Sequence, residues 1–323
     1  MNAETVRQTS DQVMLKMKRQ SRPQIYDFFR IAVKTVVGKL SSRSEVRILL
    51  GSPAKSTQNP TNLIYKFVGF CFNPENEQKS EPTQFYQMGH RGKHSNDDDN
   101  FHTRRRQALL DASIDLSYLL ERGYGDKSAL QLVGNRYSLN VRQQSALGRV
   151  AVAASAVAQR LKTQITAAQL AQQPLSIDGY NLLIGVEVAL SKGYLFHCQD
   201  GCYRDIASIH GTYRKVEETL PAIALIGQVL HKELKVGAVT WFFDSPVSNS
   251  GQLKTLLYEH ATAQGYDWTI ELVHNPDKTL VETRLDTVII SSDGWVIDRA
   301  TRWANLLGFI VDNFVETPEL IKF

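Results

Sequence analysis

From Pro174 onward, short and almost continuous apolar runs alternate with longer stretches of helical period. That is the pattern of βαβ units around a largely parallel sheet. Strands are expected at residues 175–178, 194–197, 236–243, 268–273 and 287–290, and helices over 181–190, 216–234 and 252–263. Asp205 is placed to cap a short helix reaching about His210. A last helix is expected to start near Trp295 and to hold Trp303 and Leu306 against the sheet.

The chain ahead of this α/β region, which is taken as residues 174–323, reads differently. In residues 104–172 Leu109, Leu110, Ile114, Leu116, Leu119 and Leu120 recur at helical spacing until Gly123 stops them. A second helix is expected over 127–133, ended by Gly134-Asn135, a pair suited to left-handed backbone. A third is expected over 141–163 from an Asn140 cap, with Leu147, Val150, Val157 and Leu161 buried. This small all-α module follows an extension, residues 1–103, in which nothing builds a convincing core and poor structure is expected. Val46-Arg47-Ile48-Leu49-Leu50-Gly51-Ser52-Pro53 resembles a translated transfer-RNA T-arm. Two readings stay open: residues 1–87 are upstream DNA read through before a start at Met88, or they are a natural extension. The run 89–102, rich in His and Asp, is expected to be a solvated tail rather than a metal site.

Composition narrows the class. The chain has 323 residues, 42% hydrophobic, and a formal charge of +4. Thirteen of the 37 Lys and Arg fall in residues 1–87 with only seven of the 33 Asp and Glu, so the basic balance belongs to the front segment. Cys71, Cys198 and Cys202 are too few and too uneven for a disulfide framework, and His197 with the last two lacks zinc spacing. No run approaches the roughly eighteen apolar residues of a membrane span, and the polar start lacks a signal peptide's apolar region. A cytoplasmic protein without a membrane partner is expected. No glycine-rich phosphate loop of the Walker or dinucleotide type is present.

The candidate chemistry lies at strand ends. Asp178, Asp244 and Asp293 each follow an apolar strand and precede a helix, which puts them on one rim of a parallel sheet. Asp-Gly also marks ordinary turns, but a single turn does not explain why the same delivery recurs. Three carboxylates a few ångströms apart repel by roughly 3 to 4 kcal/mol per pair at an effective dielectric of about 20. A cation would offset that, and hard oxygen ligands select Mg²⁺ or Mn²⁺. Such an ion suits phosphodiester hydrolysis. Asn181 stands one turn beyond Asp178, Ser248, Asn249, Ser291 and Ser292 offer small donors, and Glu187, Asp200, Asp205 and Glu217 are open candidates for a fourth acid. For nucleic acid the basic candidates are His210, Arg214 and Lys215, with Arg136 and Arg142 on the helical module beside Tyr137. The competing reading gives the last three to closing the ends of a helical bundle.

Asp178-Gly179-Tyr180-Asn181, Phe242-Phe243-Asp244 and Ile289-Ile290-Ser291-Ser292-Asp293 resemble the signature of PIN-like nucleases, especially the NYN branch with its Asp-x-x-Asn opening. The resemblance covers roughly residues 174–300. It implies a Rossmann-like α/β/α sandwich, Mg²⁺ or Mn²⁺ on the matching acids, and cleavage of RNA or flap-structured DNA. From Arg104 on, the chain also resembles a prokaryotic two-domain family of unknown function. The insertion over 198–215 departs from the PIN-like pattern, and the usual mid-chain acid is not identifiable. The leading expectation is a metal-dependent ribonuclease, with the helical module as a substrate platform or homo-oligomer contact. The alternatives are a non-catalytic nucleic-acid or protein-binding module on the same fold, and another Mg²⁺-dependent phosphate-handling enzyme.

Overall fold

A computed structural model describes residues 89–207, 211–282 and 286–322, so the expectations for residues 1–88 and for His210 lie outside the described residues. The described part falls within one compact unit, Tyr86–Phe323. Its strands are β1 (Leu175–Asp178), β2 (Tyr194–His197), β3 (Tyr203–Arg204), β4 (Val239–Asp244), β5 (Trp268–Val273), β6 (Val288–Ile290), β7 (Trp303–Ala304) and β8 (Glu319–Lys322). Its helices are α1 (Asp97–Asn100), α2 (Thr103–Glu121), α3 (Asp126–Arg136), α4 (Val141–Val150), α5 (Ala154–Thr163), α6 (Gly179–Leu190), α7 (Thr219–Gln228), α8 (Ser250–Gln264), α9 (Pro276–Glu282), α10 (Gly294–Ile297) and α11 (Leu306–Phe314).

The main sheet has the order β5-β4-β1-β6-β7, with every pairing parallel. The chain runs outward from β1 to β5 on one side and then returns to build β6 and β7 on the other. The fold is therefore an α/β sandwich of Rossmann-like order whose switch point lies between β1 and β6. Central β1 is buried along its length. Leu175 and Ile177 enter the main core with Trp241, Phe243 and helices α6, α7, α8 and α11. Phe242 turns to the opposite face, where Leu280 of α9, Val296 and Ile297 of α10 and Trp303 form a smaller core.

A second sheet, β3-β2-β8, links the helical layer to this frame. The two-residue period of β2 does the work: Leu195 packs into the main core, while Phe196 packs with Leu109, Leu116 and Leu147 of the helices. The Gly89–His102 run is not a solvated tail. Asp97 is 2% exposed and receives two hydrogen bonds from Arg142, at 2.8 and 2.9 Å. Arg91 reaches the fully buried Glu187 at 2.8 Å.

Several predicted boundaries shift for identifiable reasons. The single helix expected over 141–163 breaks between α4 and α5, because Gln199 accepts a hydrogen bond from the Val152 amide and donates its own amide to the Val150 carbonyl. Gly134-Asn135 lies inside α3 rather than ending it: a Cβ at Gly134 would stand 2.6 Å from the Gln144 side chain, and Ser138 takes the positive φ instead. Residues 205–207 are not helical, since Asp205 turns back to cap the Ala207 amide. Trp303 belongs to β7, not to a helix, and its indole donates to the Arg160 carbonyl. The 216–234 helix begins at Thr219 and ends in a π turn, Val229–Glu233.

Gly179 is the contact that seats α6 on the sheet. Its backbone is helical rather than left-handed, so the turn rule does not account for it. A Cβ there would lie 2.4 Å from the Phe243 ring. Gly179→Ala should therefore lower stability by about 1 to 3 kcal/mol through overpacking, although alanine gains about 1 kcal/mol in a helix. Urea denaturation gives the sign, and a stabilised variant would show that the Phe243 contact does not require glycine.

Candidate functional site

The rim at the carboxyl ends of β1, β4 and β6 is set by register. Asp178 pairs level with Phe242, and Ile177 with Ile290. Asp244 consequently lies two residues beyond Asp178 along the sheet, about 6.6 Å at 3.3 Å per residue. Asp293 comes two residues after Ser291, past the end of β6. Asp178 is thus the deepest acid of the rim, 7% exposed.

Its neighbours fix it from the β6 side. The Ser291 hydroxyl donates to Asp178 Oδ2 at 2.8 Å, and the Asp293 amide donates to the same hydroxyl oxygen at 3.0 Å. Ser292 donates through both its amide and its hydroxyl to Asn181 Oδ1, each at 2.9 Å. Asp293 Oδ1 in turn accepts from the Trp295 and Val296 amides and starts α10. Asn181, Ser291 and Ser292 line a shallow recess closed by Asn305 and Leu306.

A fourth acid completes the rim, and it is none of the four candidates. Asp277, in the first turn of α9, lies close enough to Asp244 and Asp293 for both to raise its pKa, after burial as the main cause. Burial likewise pushes Asp178 up to about 7, with Asp277 and Asp293 adding to the shift and the Ser291 hydroxyl opposing it. Asp244 Oδ1 is buried with no hydrogen-bond partner. So is the hydroxyl of Tyr180, whose pKa burial and then the Asp244 charge push up to about 12. Asp277 follows β5 across His274-Asn275-Pro276, so its sequence signal was a fourth strand delivering an acid three residues late, which also reads as an ordinary helix start.

The acids once open for the fourth place are committed elsewhere. Glu187 accepts from Arg91, Tyr213 and Thr219. Asp200 is held by Arg204 and Arg160, and although burial pushes its pKa up, these two guanidinium groups keep it below the usual carboxylate range. Asp205 caps Ala207, and Glu217 faces His90. Burial pushes the Cys198 thiol up to about 11 and raises Cys202 as well, which disfavours the thiolates that zinc needs. Arg204 Nε donates to the Ser292 carbonyl at 2.6 Å, so this ion network braces the back of the rim.

The basic candidates divide. Ser248 donates to the Gly211 carbonyl and accepts from the Tyr213 amide, and Asn249 Nδ2 donates to the Tyr213 carbonyl. These bonds lace the segment carrying exposed Arg214 and Lys215 to the loop after Asp244. Arg136 pairs instead with Asp115, and Arg142 with Asp97 and the Ile206 carbonyl, all away from the strand ends. Among the described residues no group of three or more His, Cys, Asp or Glu stands ready to enclose a metal ion. Carboxylates are hard oxygen donors of the kind that Mg²⁺ or Mn²⁺ takes, and one Asp244 oxygen has no hydrogen-bond partner.

Family profiles match two parts of the chain: one described as Domain of unknown function (DUF5616) over residues 167–308, the other as Protein of unknown function (DUF434) over residues 108–162. An uncharacterized protein of Methanocaldococcus jannaschii is 27% identical over 211 residues, which covers 65% of this chain and 97% of that protein. No solved structure matches.

Asp178 carries a proton deeper into the pH range when folded than when unfolded, so folding stability should fall as pH rises from about 4 to about 7 and level off above that. At about 1.4 kcal/mol per unit the loss is several kcal/mol. Asp178→Asn should remove that slope and raise Tm at pH 8 while leaving pH 4 little changed. Equal slopes in calorimetry for the two proteins would show that Asp178 ionises normally.

Proposed function

We propose that this rim hydrolyses phosphodiester bonds, with RNA as substrate and Mg²⁺ or Mn²⁺ as cofactor. The carrying observation is that Asp178, Asp244, Asp277 and Asp293 follow four neighbouring parallel strands and influence one another electrostatically, with one Asp244 oxygen buried and unpartnered. Asp178, Asp244 and Asp277 would hold the ion, with Asp293, which caps α10, beside them. When bound, the ion supplies charge for the scissile phosphate and for the oxygens entering and leaving it. Asn181, whose oxygen Ser292 already occupies, offers its amide N–H groups to a phosphate oxygen. Arg214 and Lys215, exposed on the segment bonded to the loop after Asp244, would contact the backbone of the nucleic acid.

The strand order and the acid positions support the resemblance to PIN-like nucleases of the NYN branch. No helix among the described residues is long and apolar enough to cross a membrane. Cys198 and Cys202 are both free. Together these support a cytoplasmic protein.

Purified protein in Mn²⁺ should cleave single-stranded or structured RNA, and Asp178→Asn, Asp244→Asn and Asp277→Asn should each slow it by about two orders of magnitude. Cleavage at the same background rate by wild type and Asp178→Asn would refute the enzyme. RNA binding that persists in such variants without metal would then favour a non-catalytic binding module.

The helical layer leaves Ile114 and Tyr118, four residues apart on α2, each 56% exposed. This supports a second copy docking there. Light scattering should give a dimer for wild type and a monomer for Ile114→Lys, and a monomeric wild type would exclude that contact.

A further inference from the structure

The four tryptophans are not equivalent. Trp241 and Trp303 are fully buried and Trp268 is 7% exposed, but Trp295 is 45% exposed. Its two successors in α10, Val296 and Ile297, are 0% and 1% exposed, so the helix seats its other large side chains and leaves the indole outside. Arg299 holds that ring. Its guanidinium lies 4.2 Å from the ring centroid, and its Nη1 donates to the Trp295 carbonyl at 3.0 Å.

The position of this pair is what gives it meaning. The Trp295 amide donates at 2.9 Å to Asp293, the carboxylate that raises the pKa of Asp178 and Asp277. The residue that carries this aromatic surface is therefore held by its backbone beside the acidic rim. The cation against one ring face favours a ligand that carries negative charge as well as a flat π surface.

We propose that Trp295 and Arg299 form a nucleobase-stacking platform, which makes the substrate of the rim a single strand with an unpaired base beside the phosphate at the acids. This rests on the reading of the rim as a phosphodiester site and names its substrate class. In a duplex the bases are stacked on one another and present no face to an indole, whereas a single strand can lay one base on Trp295 while Arg299 meets the adjoining phosphate. The platform is sequence-tolerant, because every base has a π face.

The test is binding in EDTA, where cleavage plays no part. A 12-mer of oligouridylate should quench the fluorescence of the exposed indole, and Trp295→Leu should weaken its binding about tenfold. Trp295→Phe should recover most of the loss, and an abasic 12-mer of the same charge should bind wild type and Trp295→Leu alike. The substituted side chain is half outside the protein, and an unchanged Tm verifies the fold of each variant. Equal affinity of wild type and Trp295→Leu for the 12-mer, equal binding of the 12-mer and its duplex, or no binding by wild type would each overturn the platform. Asp178-dependent cleavage alongside a silent Trp295→Leu would remove the platform alone. A Trp295-dependent affinity without any cleavage would remove the hydrolase and leave the single-strand site.

Discussion

The architecture depends on a buried ion network in which two arginines share one aspartate. Arg160 comes from α5 of the helical layer, Arg204 from β3 of the small sheet, and Asp200 from the loop between β2 and β3. Arg160 also grips Asp298 just past α10, and Arg204 grips the Ser292 carbonyl. The helix α5, the β2–β3 segment and the loop after β6 are thereby referred to one charged point behind the rim. A buried ion pair of this kind adds little net stability over a well-packed apolar replacement, yet removing one partner costs about 3 to 5 kcal/mol. Its contribution is one of register: it fixes where the Ser291 to Gly294 loop stands relative to β1. A Cβ on Gly294 would already lie 3.0 Å from the Arg160 guanidinium.

The same loop shows why the rim is costly. Ser291 and Ser292 are nearly buried, and each spends its hydroxyl on a group of β1 or α6. Those bonds offset part of the desolvation of Asp178 without annulling it, since burial and two neighbouring acids still raise its pKa. An arrangement selected for stability alone would replace one of the four acids with an amide. The chain keeps all four and leaves an oxygen of Asp244 and the nearby Tyr180 hydroxyl without a partner, whereas most buried polar groups are hydrogen-bonded.

Much of this frame was legible from apolar runs. β1, β2 and β5 fall where the pattern put them, because each is a short apolar or alternating run bounded by turn residues. Asp178, Asp244 and Asp293 stand at or just past the carboxyl ends of β1, β4 and β6, because a parallel sheet sends all its strand ends to one side. What periodicity did not reveal depends on contacts distant in sequence. The break between α4 and α5 is made by Gln199, forty-seven residues from Val152. The role of Gly179 lies with Phe243, and the docking of residues 89–102 lies with Glu187 and Arg142. Asp277 escaped because His274-Asn275-Pro276 follow its strand and delay the acid into a helix, where a carboxylate has a local explanation. The two-residue β7 carries too short a pattern to separate from a helix.

Sheet order also explains how the surroundings of the rim differ on its two sides. β4 and β6 flank β1, so the loop after Asp244, laced to Arg214 and Lys215, stands on one side of Asp178 and the loop after β6, leading to Trp295 and Arg299, on the other. A polymer laid across the strand ends would meet positive charge first and an aromatic face last, with the acids between them. The insertion over 198–215 serves both sides, since its early part supplies Asp200 and Arg204 to brace the β6 loop and its late part supplies the basic segment to the β4 loop. The described parts of this insertion therefore contact the loops on both sides of β1.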